Sequence, residues 1–197
     1  MVEKIFIKNR QEEDISAMLK DKKQRQAAFS AVVKTYQEPL YWHIRKMVLV
    51  HDDANDVLQN VFLKAWSAID NFRGEAKIST WLFRIAVNET LTFLNAERAK
   101  QFSSALDLED VLLQNLKSDS FFDGDALQLK LQEAILTLPE KQRMVFNMKY
   151  FDDMKYEDME KIFGTTVGAL KASYHHAVKK IENYLLNDEI SIGDEAY

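Results

Sequence analysis

Cysteine is absent from this 197-residue sequence. That excludes a disulfide scaffold, a thiolate metal centre and a cysteine nucleophile together, and it suits a reducing compartment. Proline occurs twice and glycine five times. An all-β sandwich or barrel needs a turn every ~8–12 residues, so a chain this poor in turn formers is not one. No apolar run approaches the ~18 uninterrupted residues of a membrane-spanning helix. The stretch from Met1 to Arg10 is charged every few positions and lacks an apolar centre, unlike a secretory signal. A cytoplasmic protein with no membrane insertion is therefore expected. Internal repeats and low-complexity tracts are missing as well.

What is present is an ordinary globular composition, 47% apolar and 29% charged. The net charge of −5 argues at first against nucleic acid, but the charge is unevenly spread. Residues 1–25 carry +2, residues 26–100 carry +1, residues 101–127 carry −5, residues 128–186 carry +1 and residues 187–197 carry −4. The acid sits in a middle segment and a tail, and local faces rather than the whole-chain charge decide nucleic-acid binding.

Helical periodicity dominates. Phe29, Val32, Val33, Tyr36, Leu40, Ile44, Met47 and Val48 recur at three- and four-residue steps, with Pro39 placed to kink or split the run. Ala54, Val57, Leu58, Val61, Phe62, Ala65, Trp66 and Ile69 predict a second helix with one buried face. Asp52 and Asp53 suit its start. Ser79 or Thr80 can cap a third helix running to about Lys100. Residues 101–127 read as a linker, and 128–186 are periodic again, with Pro139 in the first turn of a helix. The fold class is all-α: two small helical domains joined by a flexible acidic linker.

Three constellations stand out. A short helix from Tyr156 to Phe163, a turn opening with Gly164 and a longer helix from Val167 make a helix-turn-helix pattern, with Thr166 as cap. Gly168 and Ala172 keep one face small. Lys171, His175, His176, Lys179 and Lys180 make it rich in donors, as a major groove requires. An ordinary helical hairpin with a solvated basic face fits the same pattern. His175 and His176 point ~100° apart on a helix and cannot chelate one ion together, so no metal is expected. Asp56, Asn60 and Lys64 line up at i, i+4 and i+8 with Gln59 beside them, either a docking face or a solvated one. Residues 70–100 mix Phe72, Trp81 and Phe93 with Arg73, Lys77, Arg84 and Asn88. These are the ingredients for stacking unpaired bases and holding phosphates, or else core aromatics with routine surface charge.

Together, in this order, the motifs resemble a bacterial RNA polymerase sigma factor of the sigma-70 family, extracytoplasmic-function (ECF) subfamily. Asp53-Ala-Asn-Asp56-Val-Leu-Gln59-Asn-Val-Phe62-Leu-Lys-Ala-Trp66 is similar to region 2.2. Phe72-Arg-Gly and Ser79-Thr-Trp-Leu-Phe-Arg-Ile-Ala-Val-Asn88 resemble regions 2.3 and 2.4. Leu138-Pro-Glu-Lys-Gln-Arg143 resembles the start of region 4, and Tyr156 to Lys171 its helix-turn-helix. Asn60 stands where the family usually carries an acid.

The resemblance implies a division of the chain. A 1–25 extension precedes a region 2 domain over 26–100. The 101–127 linker leads to a region 4 domain over 128–186, and 187–197 form an acidic tail. Core RNA polymerase would be held by Asp53, Asp56, Gln59, Asn60 and Leu63. The melted −10 element would meet Phe72, Arg73, Lys77, Ser79, Thr80, Trp81, Arg84 and Asn88. The duplex −35 element would meet Thr166, Gly168, Lys171, Ala172, His175, His176 and Lys179. An anti-sigma protein is a further candidate partner. No cofactor is implied, and no enzyme: there is no Gly-rich phosphate loop and no nucleophile–base pair in recognisable context. The competing expectation is a helix-turn-helix regulator that binds duplex DNA alone.

Overall fold

The computed structural model describes residues 9–72, 74, 76–101, 108–118 and 126–193. Among these there is no strand. The helices are α1 (Asn9–Lys20), α2 (Arg25–Val48), α3 (His51–Ser67), α4 (Ile78–Gln101), α5 (Leu108–Ser118), α6 (Ala126–Leu136), α7 (Glu140–Tyr150), α8 (Tyr156–Phe163) and α9 (Val167–Gly193), with a 3-10 turn at Ile69–Asn71.

Pro39 does not divide α2: one helix runs from Arg25 to Val48. An interior proline removes one backbone bond and crowds the preceding turn, at about 3 kcal/mol. Tyr36, Leu40 and Ile44, all fully buried on either side of it, anchor both parts of the helix in the core. The helix ends at Leu49, whose φ of 63° is left-handed and whose N–H donates to the Arg45 carbonyl at 3.0 Å. A leucine accepts that conformation here because its side chain is buried in the core.

The first half of the molecule is α1 to α4. α2 packs on α3 and α4, α3 packs on α4, and α1 lies along α2 with Leu19 buried. Within the 1–25 extension, α1 thus adds Leu19 to the core. The second half is α6 to α9. Ala134, Ile135, Leu138, Phe146, Ala177 and Ile181 form its own small core. Phe146 is stacked between Tyr150 and Tyr174, at centroid distances of 5.2 and 5.7 Å.

Two features depart from the expected plan. The segment 101–127 carries α5, whose Leu112 and Leu116 are buried, so part of the linker is a packed amphipathic helix. Also, α9 continues to Gly193, into the segment read as an acidic tail.

The halves are not independent bodies. α8 packs on α4 and α7 on α2. Met144, Val145, Met148, Met154, Met159 and Ile162 share one apolar cluster with the cores of α2, α3 and α4. At its edge His43 Nδ1 lies 2.8 Å from Asp152 Oδ2, and Lys46 Nζ donates to Asp152 Oδ1 at 2.9 Å. Asn147 Nδ2 donates to the Met47 sulfur at 3.4 Å. Arg98 pairs with Glu140 at 3.1 Å. Burial alone would raise the Asp152 carboxyl. The hydrogen bond and charge of His43, then those of Lys46, outweigh it and hold Asp152 below its ordinary value.

Candidate docking and nucleic-acid surfaces

Asp52 and Asp53 in the first turn of α3 complement its positive end. Ala54, Val57, Val61 and Ala65 turn into the core. That leaves Asp56, Gln59, Asn60 and Leu63 on the outside, with Asp53 half-buried. Leu63 is 59% exposed and Trp66 42% exposed. Trp66 therefore does not lie on the buried face, as its spacing suggested. Its ring rests on Phe29 of α2 at 5.0 Å, and Phe29 meets Phe62 edge-on, so a partly open aromatic shelf adjoins Leu63. Lys64 turns the other way and donates to Glu89 of α4 at 2.6 Å. Burial, then the charges of Glu97, Asp56 and Asp52, push the Asp53 carboxyl up. The face combines an acidic edge with two exposed apolar side chains, which suits a protein partner.

The residues expected at the −10 element separate into two layers. Arg84 and Asn88, one turn apart on α4, are exposed, and Lys77 and Trp81 are half-buried. Phe72, Ser79 and Thr80 are buried and lie behind the surface rather than on it. α4 starts at Ile78, so Ser79 and Thr80 are inside its first turn instead of capping it. Phe72 packs against Trp81, ring centroids 5.0 Å apart and tilted by 44°. It backs the half-buried indole. Arg73 lies outside the described residues.

The helix-turn-helix is built from local rules. Glu157 and Asp158 open α8. Gly164 closes it in the left-handed region at φ 64°, with its N–H on the Glu160 carbonyl at 2.9 Å. Thr166 Oγ1 then accepts from the Ala169 N–H at 3.2 Å, and Glu160 Oε1 accepts from the Val167 N–H at 3.2 Å. Both anchor the start of α9. Leu170, Ala177 and Ile181 are buried. Thr166, Gly168, Lys171, Ala172, His175, His176 and Lys179 are all exposed. Lys171 Nζ lies over the Tyr156 ring at 5.8 Å, which aims it along α8. The His175 and His176 rings are 6.2 Å apart and diverge. Thr166→Ala removes one cap while leaving that of Glu160. The expected loss is about 1 kcal/mol of stability, measured by urea unfolding.

Sequence reasoning did not find the Asp152 contact. His43 belongs to no motif of the sequence, and it is fully buried against a residue 109 positions away. No local spacing signals such a pair.

Residues 32–100 match the family model for Sigma-70 region 2, and residues 128–181 that for Sigma-70, region 4. The chain is 31% identical over 173 residues to the ECF RNA polymerase sigma-E factor of Escherichia coli K12, covering 80% of this chain and 86% of that one. It is 28% identical over 183 residues to the RNA polymerase sigma-H factor of Pseudomonas aeruginosa, covering 89% and 95%. Among solved structures, CnrH in complex with the cytosolic domain of CnrY superposes with a TM-score of 0.67 at 21% identity, covering 90% of this chain and 98% of that one. The sigma factor RpoE in complex with the anti-sigma factor NepR, from Bartonella quintana, gives 0.64 at 21% identity, covering 80% and 96%. Both likenesses are at the level of the fold. Two region matches in the right order, over a chain that aligns with a curated relative for most of both lengths, place this protein in the sigma-70 family, as an ECF sigma factor.

Proposed function

We propose that the chain docks on core RNA polymerase through the outer face of α3, delivers it to promoters by placing α9 in the −35 major groove, and holds the melted −10 strand along the 70–77 loop and α4. The observation that carries this reading is the joint exposure of three faces of matching chemistry. They are the acidic and apolar side of α3, the Arg84–Asn88 edge of α4, and the small, basic side of α9. A base taken out of the stack costs a few kcal/mol, offset by stacking on Trp81 and hydrogen bonds from Asn88 and the cations beside it. The chemistry of RNA synthesis stays with the polymerase, in the cytoplasm, and this chain supplies recognition. By analogy with the RpoE–NepR complex, an anti-sigma protein is a further partner.

The packed arrangement of the halves matters for this function. Elements named for positions −35 and −10 are about 25 base pairs apart, roughly 85 Å of duplex at ~3.4 Å per step. Here α8 lies directly on α4, and packed helices are only about 8–10 Å apart. To read both elements of one promoter, the halves have to part.

Run-off transcription by core polymerase on a genomic library of the host tests the whole reading. Transcripts that appear only when the protein is added, with shared upstream elements, are expected. Absence of transcripts and of core binding would reject it. Tight duplex binding by the protein alone would favour a stand-alone regulator.

A further inference from the structure

We propose that the turn joining α1 to α2 is a phosphate grip that extends the −10 surface and holds the backbone of the strand passing through the 70–77 loop. This rests on the reading of that loop as a strand-capture site. The turn contains Lys20, Lys22, Lys23 and Arg25 within six residues. Its single acid, Asp21, is spent on the turn itself: its carboxylate accepts from the Lys23 N–H and from Gln24 Nε2, each at 2.9 Å. Arg25 pins the turn in place, pairing with Asp70 at 2.7 Å and donating through Nε to the Leu19 carbonyl at 3.1 Å. Asp70 opens the loop, so the bridge ties the turn to the capture site.

Lys20 makes the connection closer still. A Cβ built on Gly74, in the middle of that loop, would sit 3.1 Å from Lys20 Nζ. The ammonium thus lies over a left-handed glycine, φ 77°, whose lack of a side chain leaves it room. Lys20, Lys22 and Lys23 are exposed, and none forms an ion pair with another described residue. In a chain with net charge −5 this is a concentrated cationic edge. It sits beside the loop, whose last residue is Lys77, with Arg84 following in α4.

The partner follows from the side chains. Lysines on a short turn with no aromatic or amide reader beyond Gln24 are mobile point charges. They suit phosphate oxygens and carry no base preference. The grip would raise affinity for opened DNA without altering which sequence is chosen.

The test is salt-dependent binding of the holoenzyme to a forked −10 probe with a single-stranded non-template overhang. The variant is K20A/K22A/K23A, all at exposed positions. The expected result is a loss of ten-fold or more at low salt, and a log–log salt slope shallower by about 2, since each single-strand phosphate contact contributes ~0.7. Discrimination between the preferred −10 sequence and a mismatched one is unchanged. Arg84→Ala separates the two levels of the argument. If R84A weakens the probe and the triple variant keeps wild-type affinity and slope, the grip is wrong and the capture site stands. If neither variant changes binding, the capture site fails as well. If the triple variant binds the probe normally but loses binding of a synthetic peptide of residues 101–127, the turn is a contact for an acidic protein segment and the phosphate assignment falls.

Discussion

Asp152→Ala is expected to lower the stability of the joined halves by about 3 kcal/mol, toward the lower end of the cost of breaking a buried ion pair. The wild-type carboxylate faces His43 and Lys46 across the boundary between the two halves and is almost wholly buried. Its removal leaves the His43 ring, fully enclosed beside Phe83 at 5.2 Å, without its partner. Lys46 is partly exposed and can turn to water, which keeps the loss below the maximum. Urea unfolding should show the loss, and small-angle scattering should show a larger radius of gyration. Core-dependent transcription should persist, because none of the three exposed faces is altered. An unchanged urea midpoint and unchanged scattering would mean that the apolar contacts alone hold the halves together.

The same carboxyl sets an acid dependence. Its folded value lies below the ordinary 3.8. Its contribution is therefore complete above about pH 4 and is lost as the pH falls through the folded value. Asp152→Asn removes that contribution at every pH. The stability difference between wild type and D152N should shrink on acidification below about pH 4. A difference that grows in acid would contradict the sign of the shift.

Leu63→Glu is expected to weaken core polymerase binding by about 30- to 100-fold, the range of a central apolar contact in an interface. Leu63 is the most exposed large apolar residue of the α3 face and neighbours the Trp66–Phe29 shelf. A glutamate there would be desolvated on docking beside Gln59 and Asn60, with the like charge of Asp56 two turns away. Because the side chain is mostly in water in the free protein, the fold should be unaffected by circular dichroism. Binding of the isolated factor to −35 duplex should not change either, since α9 is untouched. Normal core affinity in L63E would move the docking surface off this part of α3.

Much of the molecule was readable one helix at a time. A three- and four-residue apolar period needs only the geometry of the helix itself, so α3, α4, α8 and α9 follow from local spacing. Gly164 and Thr166 likewise act on groups within three or four residues, and the turn between α8 and α9 was legible from them. The exposed face of α9 is the complement of its buried one, so it was legible too. The tertiary structure decided what periodicity cannot. Whether Pro39 breaks a helix depends on packing on either side of it. Phe72 and Trp81 have similar sequence signals, yet one is covered by the other. Trp66 sits at a core-like spacing but at the rim of the α2–α3 contact, where there is not enough neighbouring mass to cover it. α5 condenses from an acidic segment because Leu112 and Leu116 find a surface to bury against. Above all, the closed arrangement brings Asp152 to His43 and Lys46, more than a hundred residues away from it. Contacts of that span depend on how whole helices are brought together, and no short window of sequence carries that information.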